Sequence, residues 1–292
     1  MAKSLRSFAS KFAAVLFAAL LFVAALFMFT GCETKRPEIT VKIQFNGDSY
    51  TLEYKLYRNM YPQTVAHYIE LIEKKFYDGT VIHDYQTNYL VGGGYYYDEN
   101  VGTDPADDIL SKEDEYDALN LSKSVWSDAD KTTAYNTVYG EFSANGGFEV
   151  TNNPLTNEIG SLGAYYYTPA RTAQKVWVKT SRNGDIVERP YCYNSTTSLF
   201  YISNTTTSDE NYCTFGVLKN SKSKDAFSDL LAAIEEYTTN LSENSEDEAS
   251  FTEEKDMTIY DEYWEADVGS YTATFNIPVE PIVITSVRVT KY

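Results

Sequence analysis

A histidine followed directly by an aspartate, His83-Asp84, is the pair in this sequence whose residue types could do chemistry. Such pairs occur in hydrolases and around many metal sites. The chain has only 2 histidines, and the other one, His67, falls on a separate element. The sequence also contains no Gly-x-Ser-x-Gly turn for a nucleophile and no Asp-x-Asp-x-Asp-Gly calcium spacing. We therefore predict neither a metal nor a cofactor, and we interpret His83 as a structural residue held by the backbone.

A third kind of reactive residue, cysteine, marks the N-terminal segment. The stretch from Phe12 to Phe29 is wholly apolar and follows a basic start with no acidic residue. It ends in Thr30-Gly31-Cys32, which resembles a bacterial lipobox. The pattern predicts a lipoprotein-type signal segment over residues 1–32 with lipidation at Cys32. An uncleaved helix is the alternative, because the apolar run would span roughly 27 Å at about 1.5 Å per residue. The basic residues of this start are Lys3, Arg6 and Lys11.

Both interpretations of the N-terminal segment give the same location. Basic residues before an apolar run favour the cytoplasmic side, so the rest of the chain faces outward. We expect a bacterial protein that a lipid anchor holds at the cell membrane, on the extracytoplasmic face, with residues 33–37 as a tether. Disulfides can form in that compartment. A disulfide between Cys192 and Cys213 and a pair of buried free thiols therefore stay as alternatives.

The composition excludes one class of partner and favours one class of fold. The 292 residues include 42 Asp and Glu against 24 Lys and Arg, a formal charge of −18 that would repel a polyphosphate backbone. We predict no nucleic-acid binding. The 26 tyrosines and 15 phenylalanines suit half-buried β surfaces and peptide-contacting faces. The remainder of the chain, residues 38–292, is thus predicted to be one monomeric, mainly β domain.

Periodic apolar positions predict the elements of this domain. Alternation over residues 39–56 around Asn46-Gly47-Asp48 predicts a β-hairpin. Helical spacing predicts one helix after Tyr61-Pro62 and a second around Phe227–Ile234. A β-branched run predicts a final core strand at Ile282–Val289.

Three stretches interrupt this pattern and are predicted to be long surface insertions. They cover about residues 95–137, 165–197 and 238–272. The first is polar and acidic without a sustained period. Within the last, the acidic stretch Asn240–Asp256 is interpreted as a solvated loop.

Five short motifs follow one another over residues 38–292. They are Tyr61-Pro62-Gln63-Thr64-Val65 leading to Phe76-Tyr77-Asp78-Gly79-Thr80-Val81-Ile82-His83, then Val138-Tyr139-Gly140-Glu141-Phe142 with Asn145-Gly146, Ser198-Leu199-Phe200-Tyr201-Ile202, Phe215-Gly216-Val217, and Pro278-Val279-Glu280-Pro281-Ile282. In this order the motifs resemble those of the cyclophilin-type peptidyl-prolyl isomerases, and the resemblance covers the whole domain. It implies a closed barrel of eight antiparallel strands capped by two helices, which agrees with the two helices predicted from periodicity.

The resemblance also implies a function and a site. The function is isomerisation of prolyl bonds in proline-containing peptide segments or unfolded proteins, here assisting the folding of extracytoplasmic proteins. In the family an Arg after the His donates to the proline nitrogen, whereas this chain has Asp84 there. Gly92 and Leu199 stand where the family has two glutamines. The substrate-binding positions implied are His83, Tyr89, Leu90, Gly92, Phe200, Tyr201 and Tyr212.

These departures leave two functions open. One is an isomerase with weakened catalysis, and the other is a non-catalytic peptide- or protein-binding module on the same barrel. Another cation could replace the missing Arg. The candidates in the second insertion are Arg171, Lys175, Lys179, Arg182 and Arg189, for which solvated surface charge is the simpler interpretation.

Overall fold

The first two strands form the hairpin that their alternation predicts. In β1 (Glu38–Phe45) every second side chain is buried, and β2 (Asp48–Leu56) pairs with it residue for residue. Asn46 and Gly47 connect them with φ of 46° and 85°. Two successive left-handed residues make the tight turn whose twist matches that of paired strands.

These strands belong to a computed structural model, which describes residues 35–102, 107–141, 155–165, 175–179, 185–190, 196–207, 213–244, 250–259 and 271–292. Residues Lys35–Lys291 form one unit. The remaining strands are β3 (Thr80–Tyr85), β4 (Tyr89–Tyr97), β5 (Ile109–Ser111), β6 (Val125–Trp126), β7 (Ala134–Tyr135), β8 (Leu162–Ala164), β9 (Lys175–Lys179), β10 (Ile186–Pro190), β11 (Phe200–Ser203), β12 (Cys213–Leu218), β13 (Thr252–Ile259), β14 (Tyr271–Pro278) and β15 (Val283–Lys291).

Eight of the strands close into a barrel, which confirms the predicted fold class. Their order is β11-β8-β12-β2-β1-β15-β3-β4, and a further pairing of β4 with β11 completes the ring. All of these pairings are antiparallel. β5 extends the sheet beyond β4, outside the ring.

Two long helices pack on the barrel as predicted, and a short one was not predicted. α1 (Pro62–Glu73) buries Val65, Ile69 and Ile72, and α3 (Ser221–Asn244) packs against β2. α2 (Glu113–Ala118) lies within the first predicted insertion. It buries Tyr116, so that stretch contributes to the core despite its polar composition.

The start of α1 is capped by a residue that is distant in sequence. Tyr61 at the N-cap makes no side-chain capping bond. Instead the fully buried carboxylate of Glu141 accepts hydrogen bonds from the backbone N–H of Gln63 at 3.1 Å and of Thr64 at 2.8 Å. A carboxylate at this end satisfies free backbone donors and complements the helix dipole. The Gly140-Glu141 motif therefore fixes where α1 begins.

The barrel interior is filled by side chains. Tyr68 and Phe215 stack with ring centroids 4.4 Å apart, and Tyr54 is fully buried. The cavity that the interior residues enclose has about 20 Å³ of free volume. This is enough for about one water molecule and far too little for a peptide. We therefore look for a peptide site on the outside of the barrel.

Two small sheets lie outside the ring. One has the order β10-β9-β6-β7, and the other is the two-stranded pair of β13 and β14, which we call the outer ribbon. The prediction of a loop over Asn240–Asp256 was wrong at both ends, because α3 continues to Asn244 and β13 begins at Thr252. Its middle, residues 245–249, lies outside the described residues. β13 has no apolar alternation of its own, and its pairing with β14 makes it a strand.

Two observations bear on the N-terminal segment and the cysteines. From residue 35 onward, no described helix has the length and apolar character needed to cross a membrane. Cys213 carries a free, buried thiol, and burial raises its pKa. Cys192 and residues 1–34 lie outside the described residues.

Candidate functional site

Strand pairing defines one row of side chains on the outside of the barrel. Asp84 on β3 pairs with Val91 on β4, Val91 pairs with Tyr201 on β11, and Tyr201 pairs with Gly163 on β8. Directly paired residues share a face of the sheet. The row of these four residues therefore crosses four neighbouring strands on one face, and we call it the outer row.

The adjacent row points into the barrel. Gly92 pairs with Ile82 and with Phe200. A Cβ added at Gly92 would lie 3.0 Å from Ile82 Cδ1 and 3.2 Å from Phe200 Cζ, both in the core. Position 92 thus faces the barrel interior. The resemblance implied that Gly92 lies in the substrate site, but its neighbour Val91 is the residue that faces outward.

A pocket of about 390 Å³ opens at the tyrosine end of the outer row. The Tyr89 ring lies 6.0 Å from that of Tyr165 and 6.2 Å from that of Tyr201. Aromatic rings at these separations form an apolar wall suited to a flat or cyclic side chain. The described lining residues are Asn88, Tyr89, Asn157, Ala164, Tyr165, Tyr201, Thr205 and Thr207.

The Tyr201 ring is held in place by a glycine beneath it and an amide beside it. A Cβ at Gly163 would lie 2.1 Å from Tyr201 Cζ, so the ring fits only over glycine. Asn157 Oδ1 lies 3.5 Å from the Tyr201 hydroxyl, and Asn157 Nδ2 donates to Ser203 Oγ at 2.9 Å. Sequence analysis missed Asn157, because an isolated bridge to Thr207, rather than a periodic strand, brings it here.

The structure brings together some of the predicted substrate-binding residues and separates others. Tyr89 and Tyr201 line the pocket. Leu90, Gly92 and Phe200 lie on the inner side, where Leu90 and Phe200 belong to the barrel core. Tyr212, like the lipidation candidate Cys32, is outside the described residues.

His83 lies away from the pocket, fully buried between two rings. Its imidazole centroid is 4.4 Å from that of Tyr95 and 5.0 Å from that of Phe275. Burial lowers the pKa of His83 to about 3, and the Val81 carbonyl opposes this shift without making a hydrogen bond of ordinary geometry. The ring is therefore neutral at physiological pH and is held by packing rather than by the backbone bonds we expected.

Asp84, at the position of the family Arg, is also covered. Asp84 is only 4% exposed. Its Oδ1 accepts hydrogen bonds from Gln86 Nε2 at 2.7 Å and from the Asn276 backbone N–H at 2.9 Å. Burial raises the pKa of Asp84, while these two donors oppose the rise. No salt bridge to Asp84 is present in the described part of the chain. The Asp84 end of the outer row therefore carries a hydrogen-bond acceptor, and the backbone of β14 already donates to it.

The cations proposed to replace the family Arg do not line the pocket where the structure describes them. Lys175 pairs with Glu188 at 3.0 Å, between β9 and β10. Lys179 and Arg189 belong to the same outer sheet. Arg171 and Arg182 are outside the described residues. Among described residues, no group of three or more His, Cys, Asp or Glu side chains could hold a metal ion.

The chain is similar to solved structures at low sequence identity. Two solved structures of a cyclophilin-type peptidyl-prolyl cis-trans isomerase from Cryptosporidium parvum match at 13% identity. One covers 88% of this chain and 99% of its own, with a TM-score of 0.39. The other, determined in the presence of the dipeptide Ala-Pro, covers 87% and 99%, with a TM-score of 0.41. No curated protein matches the chain.

The family comparison covers most of the chain. The family described as cyclophilin type peptidyl-prolyl cis-trans isomerase/CLD matches residues 40–250. That range includes nearly all of the barrel strands, the pocket and the outer row. The chain therefore belongs to the cyclophilin-type peptidyl-prolyl cis-trans isomerase family.

Proposed function

We propose that the chain binds proline-containing segments of unfolded proteins in the tyrosine-lined pocket and isomerises them slowly. One observation carries this proposal. The outer row joins an aromatic pocket at Tyr201 to a buried carboxylate at Asp84, and the described residues place no cation at either end. This supports a site that keeps the apolar contacts of a prolyl site without its cationic donor. A proline ring suits the flat space between Tyr89, Tyr165 and Tyr201.

The expected loss of rate follows from the size of one interaction. The barrier to rotation of the peptide bond is about 18–20 kcal/mol. A hydrogen bond from a charged donor to the proline nitrogen contributes roughly 1.5–3 kcal/mol. Its absence from the transition state slows turnover by about 10- to 150-fold. Desolvation in the pocket still favours the less polar twisted amide, so weak activity remains.

NMR exchange spectroscopy on an Ala-Pro peptide tests the proposal. We expect cis–trans exchange above the uncatalysed rate, but about 10- to 150-fold below that of a family member with the Arg. Tyr201→Ala should abolish both peptide binding and exchange. Tyr50→Ala, on β2 and outside the pocket, is the matched control and should change neither.

A non-catalytic binding module is the second candidate, and the covered state of Asp84 favours it. In that case the same titration would show saturable binding at Tyr89 and Tyr201 without any enhancement of exchange. Failure of the Ala-Pro peptide to shift the signals of either tyrosine would contradict both candidates.

We further propose that a lipid anchor at Cys32 holds the domain on the extracytoplasmic face of a membrane. The basic start, the apolar run and Thr30-Gly31-Cys32 support this location. Metabolic labelling with a fatty-acid analogue should mark the unchanged protein and Cys192→Ser, but not Cys32→Ser. Equal labelling of all three proteins would place the lipid elsewhere.

A further inference from the structure

The outer ribbon, β13 with β14, packs against the outside of the barrel beside Asp84. Phe275 and Ile277 of β14 are each 1% exposed. They form a small apolar cluster with Val81, Tyr95 and Ile109, separate from the barrel core. The ribbon is thus attached by side-chain packing and is not a strand of the ring.

Asn276 joins the ribbon to the outer row, through its backbone N–H and with its side chain also acting on Asp84. Asn276 N–H donates to Asp84 Oδ1 at 2.9 Å. In an antiparallel ladder, alternate N–H groups point away from the partner strand. Because this N–H reaches Asp84, it points away from β13, and the pairing of Asn276 with Glu254 does not depend on it.

The ribbon lies where a peptide leaving the pocket along the outer row would have to pass. Neighbouring strands are about 5 Å apart, so Asp84 lies about 10 Å along the row from Tyr201, with Val91 between them. Val91 is fully buried although it belongs to the outer row. In this structure the outer row is therefore covered at Val91, and Asn276 of the ribbon covers its Asp84 end.

We propose that the outer ribbon is an intramolecular cover over the Asp84 end of the groove, with the Asn276–Asp84 hydrogen bond as its latch. Closed, the site accepts short prolyl segments in the tyrosine pocket. Released, it accepts longer segments that continue along the outer row. The inference rests on the proposed function, because the pocket must first bind a prolyl segment.

The choice of a carboxylate at position 84 supports a releasable contact. Burying a carboxylate without a cation is costly, and burial raises the pKa of Asp84. An apolar side chain at position 84 would pack under a permanent cover without the cost of burying a charge.

Asn276→Pro is the variant that separates the cover from the pocket. Proline removes the N–H that reaches Asp84, whereas the ladder to β13 stays, since proline is tolerated where a strand's N–H faces away from its partner. Thr274→Pro is the matched control, because it is two residues away on the same strand and pairs with Asp256 rather than reaching Asp84. The probes are the dipeptide Ala-Pro and an eight-residue peptide with Ala-Pro at its centre.

Calorimetric titration and hydrogen exchange give the readouts. In Asn276→Pro we expect faster exchange of the β14 amides and tighter binding of the eight-residue peptide, by about 10- to 150-fold, the effect of losing one charge-assisted hydrogen bond. Binding of the dipeptide should not change. In Thr274→Pro, binding of both peptides should stay as in the unchanged protein. If Asn276→Pro does not fold, Asp84→Ala removes the acceptor instead and should show the same gain for the longer peptide.

Two outcomes would overturn the inference, and only the second would also overturn the proposed function. If the dipeptide binds but release of β14 leaves the affinity for the longer peptide unchanged or lower, the ribbon is a permanent part of the structure and the proposed function stands. If the dipeptide binds to none of the proteins, the proposed function fails and the cover fails with it.

Discussion

Position 84 shows how one residue changes both the chemistry and the surface around it. An arginine there would donate to a bound peptide, whereas Asp84 accepts from Gln86 and from the backbone of Asn276. Sequence comparison alone predicts that Asp84→Arg would raise activity if the groove is otherwise intact. Position 84 is only 4% exposed with β14 in place. We therefore expect the larger guanidinium to raise activity only if the ribbon moves as well.

The sequence identified which residue types form the pocket better than which way they face. Tyr89 and Tyr201 were predicted and line it, while Leu90, Gly92 and Phe200 point inward. Consecutive side chains of a strand point to opposite faces of the sheet. Leu90 lies between Tyr89 and the outer-row residue Val91, and Phe200 precedes Tyr201, so Leu90 and Phe200 face the barrel interior. The resemblance assigned neighbouring residues of β4 and of β11 to one site, and the strand pairing shows which of them face outward.

Glu141 gives a prediction at the scale of a single capping residue. Glu141→Ala leaves the N–H groups of Gln63 and Thr64 without their acceptor, so we expect a loss of about 1–2 kcal/mol in the free energy of unfolding. Glu141→Gln keeps one acceptor oxygen and should lose less. Urea unfolding monitored by circular dichroism measures both. Equal stability of Glu141→Ala and the unchanged protein would show that α1 begins without this cap.

The two buried histidines give a prediction about acid. Burial lowers the pKa of His67 to about 4 and of His83 to about 3. Between these values and the ordinary pKa of about 6.5, the unfolded chain binds a proton at each site and the folded chain does not. The two histidines therefore leave the free energy of unfolding unchanged above about pH 6.5. Below that pH each lowers it by about 1.4 kcal/mol per pH unit.

Urea unfolding at pH 7 and pH 5.5 measures this effect. His67→Gln keeps a side-chain amide for the Thr197 carbonyl and removes one of the two titrating groups, so it should show a smaller loss on acidification. Burial raises the pKa of Asp84 and of Glu280, which opposes the loss in both proteins alike. The same pH dependence with and without His67 would contradict the prediction.

At the scale of elements, strands with their own apolar alternation were predictable and strands made by a partner were not. β1 and β2 alternate along their length, and both long helices carry a helical apolar stripe. β13 has the sequence Thr-Glu-Glu-Lys-Asp-Met-Thr-Ile, which shows no such pattern. It exists as a strand because β14 buries Phe275 and Ile277 on the barrel and then pairs with it. Tertiary context decides such elements.

Strand β8 provides a prediction about how an element shapes the pocket. Gly163→Ala would push the Tyr201 ring from its place, so we expect weaker Ala-Pro binding and a loss of about 1–3 kcal/mol in the free energy of unfolding. The double variant Gly163→Ala with Tyr201→Ala tests the cause. Once the ring is absent, the added methyl group should cost almost nothing relative to Tyr201→Ala alone. An undiminished cost in that background would mean that the glycine serves another purpose.

At the scale of the whole molecule, the closed ring is the part that sequence reasoning reached most completely. The order of motifs from Tyr61 to Ile282 implied eight strands, and pairing of β4 with β11 closes them. For the elements outside the ring, the sequence predicted only where the insertions begin and end. The stretch 95–137 has no apolar period, and yet it contains α2 and strands β5 to β7. Their packing depends on contacts with distant residues, as Lys112 shows by donating to the Phe76 carbonyl at 2.8 Å.

The neighbouring positions of β1 and β15 have a consequence for engineering. Glu38 pairs with Lys291, so the first and last strands of the ring run side by side. The chain could then be circularly permuted, with a short linker from Lys291 to Glu38 and new ends cut at the Asn46-Gly47 turn. Such a permutant would keep every strand neighbour of the ring. It would also let the domain be joined to a host protein through the Asn46-Gly47 turn.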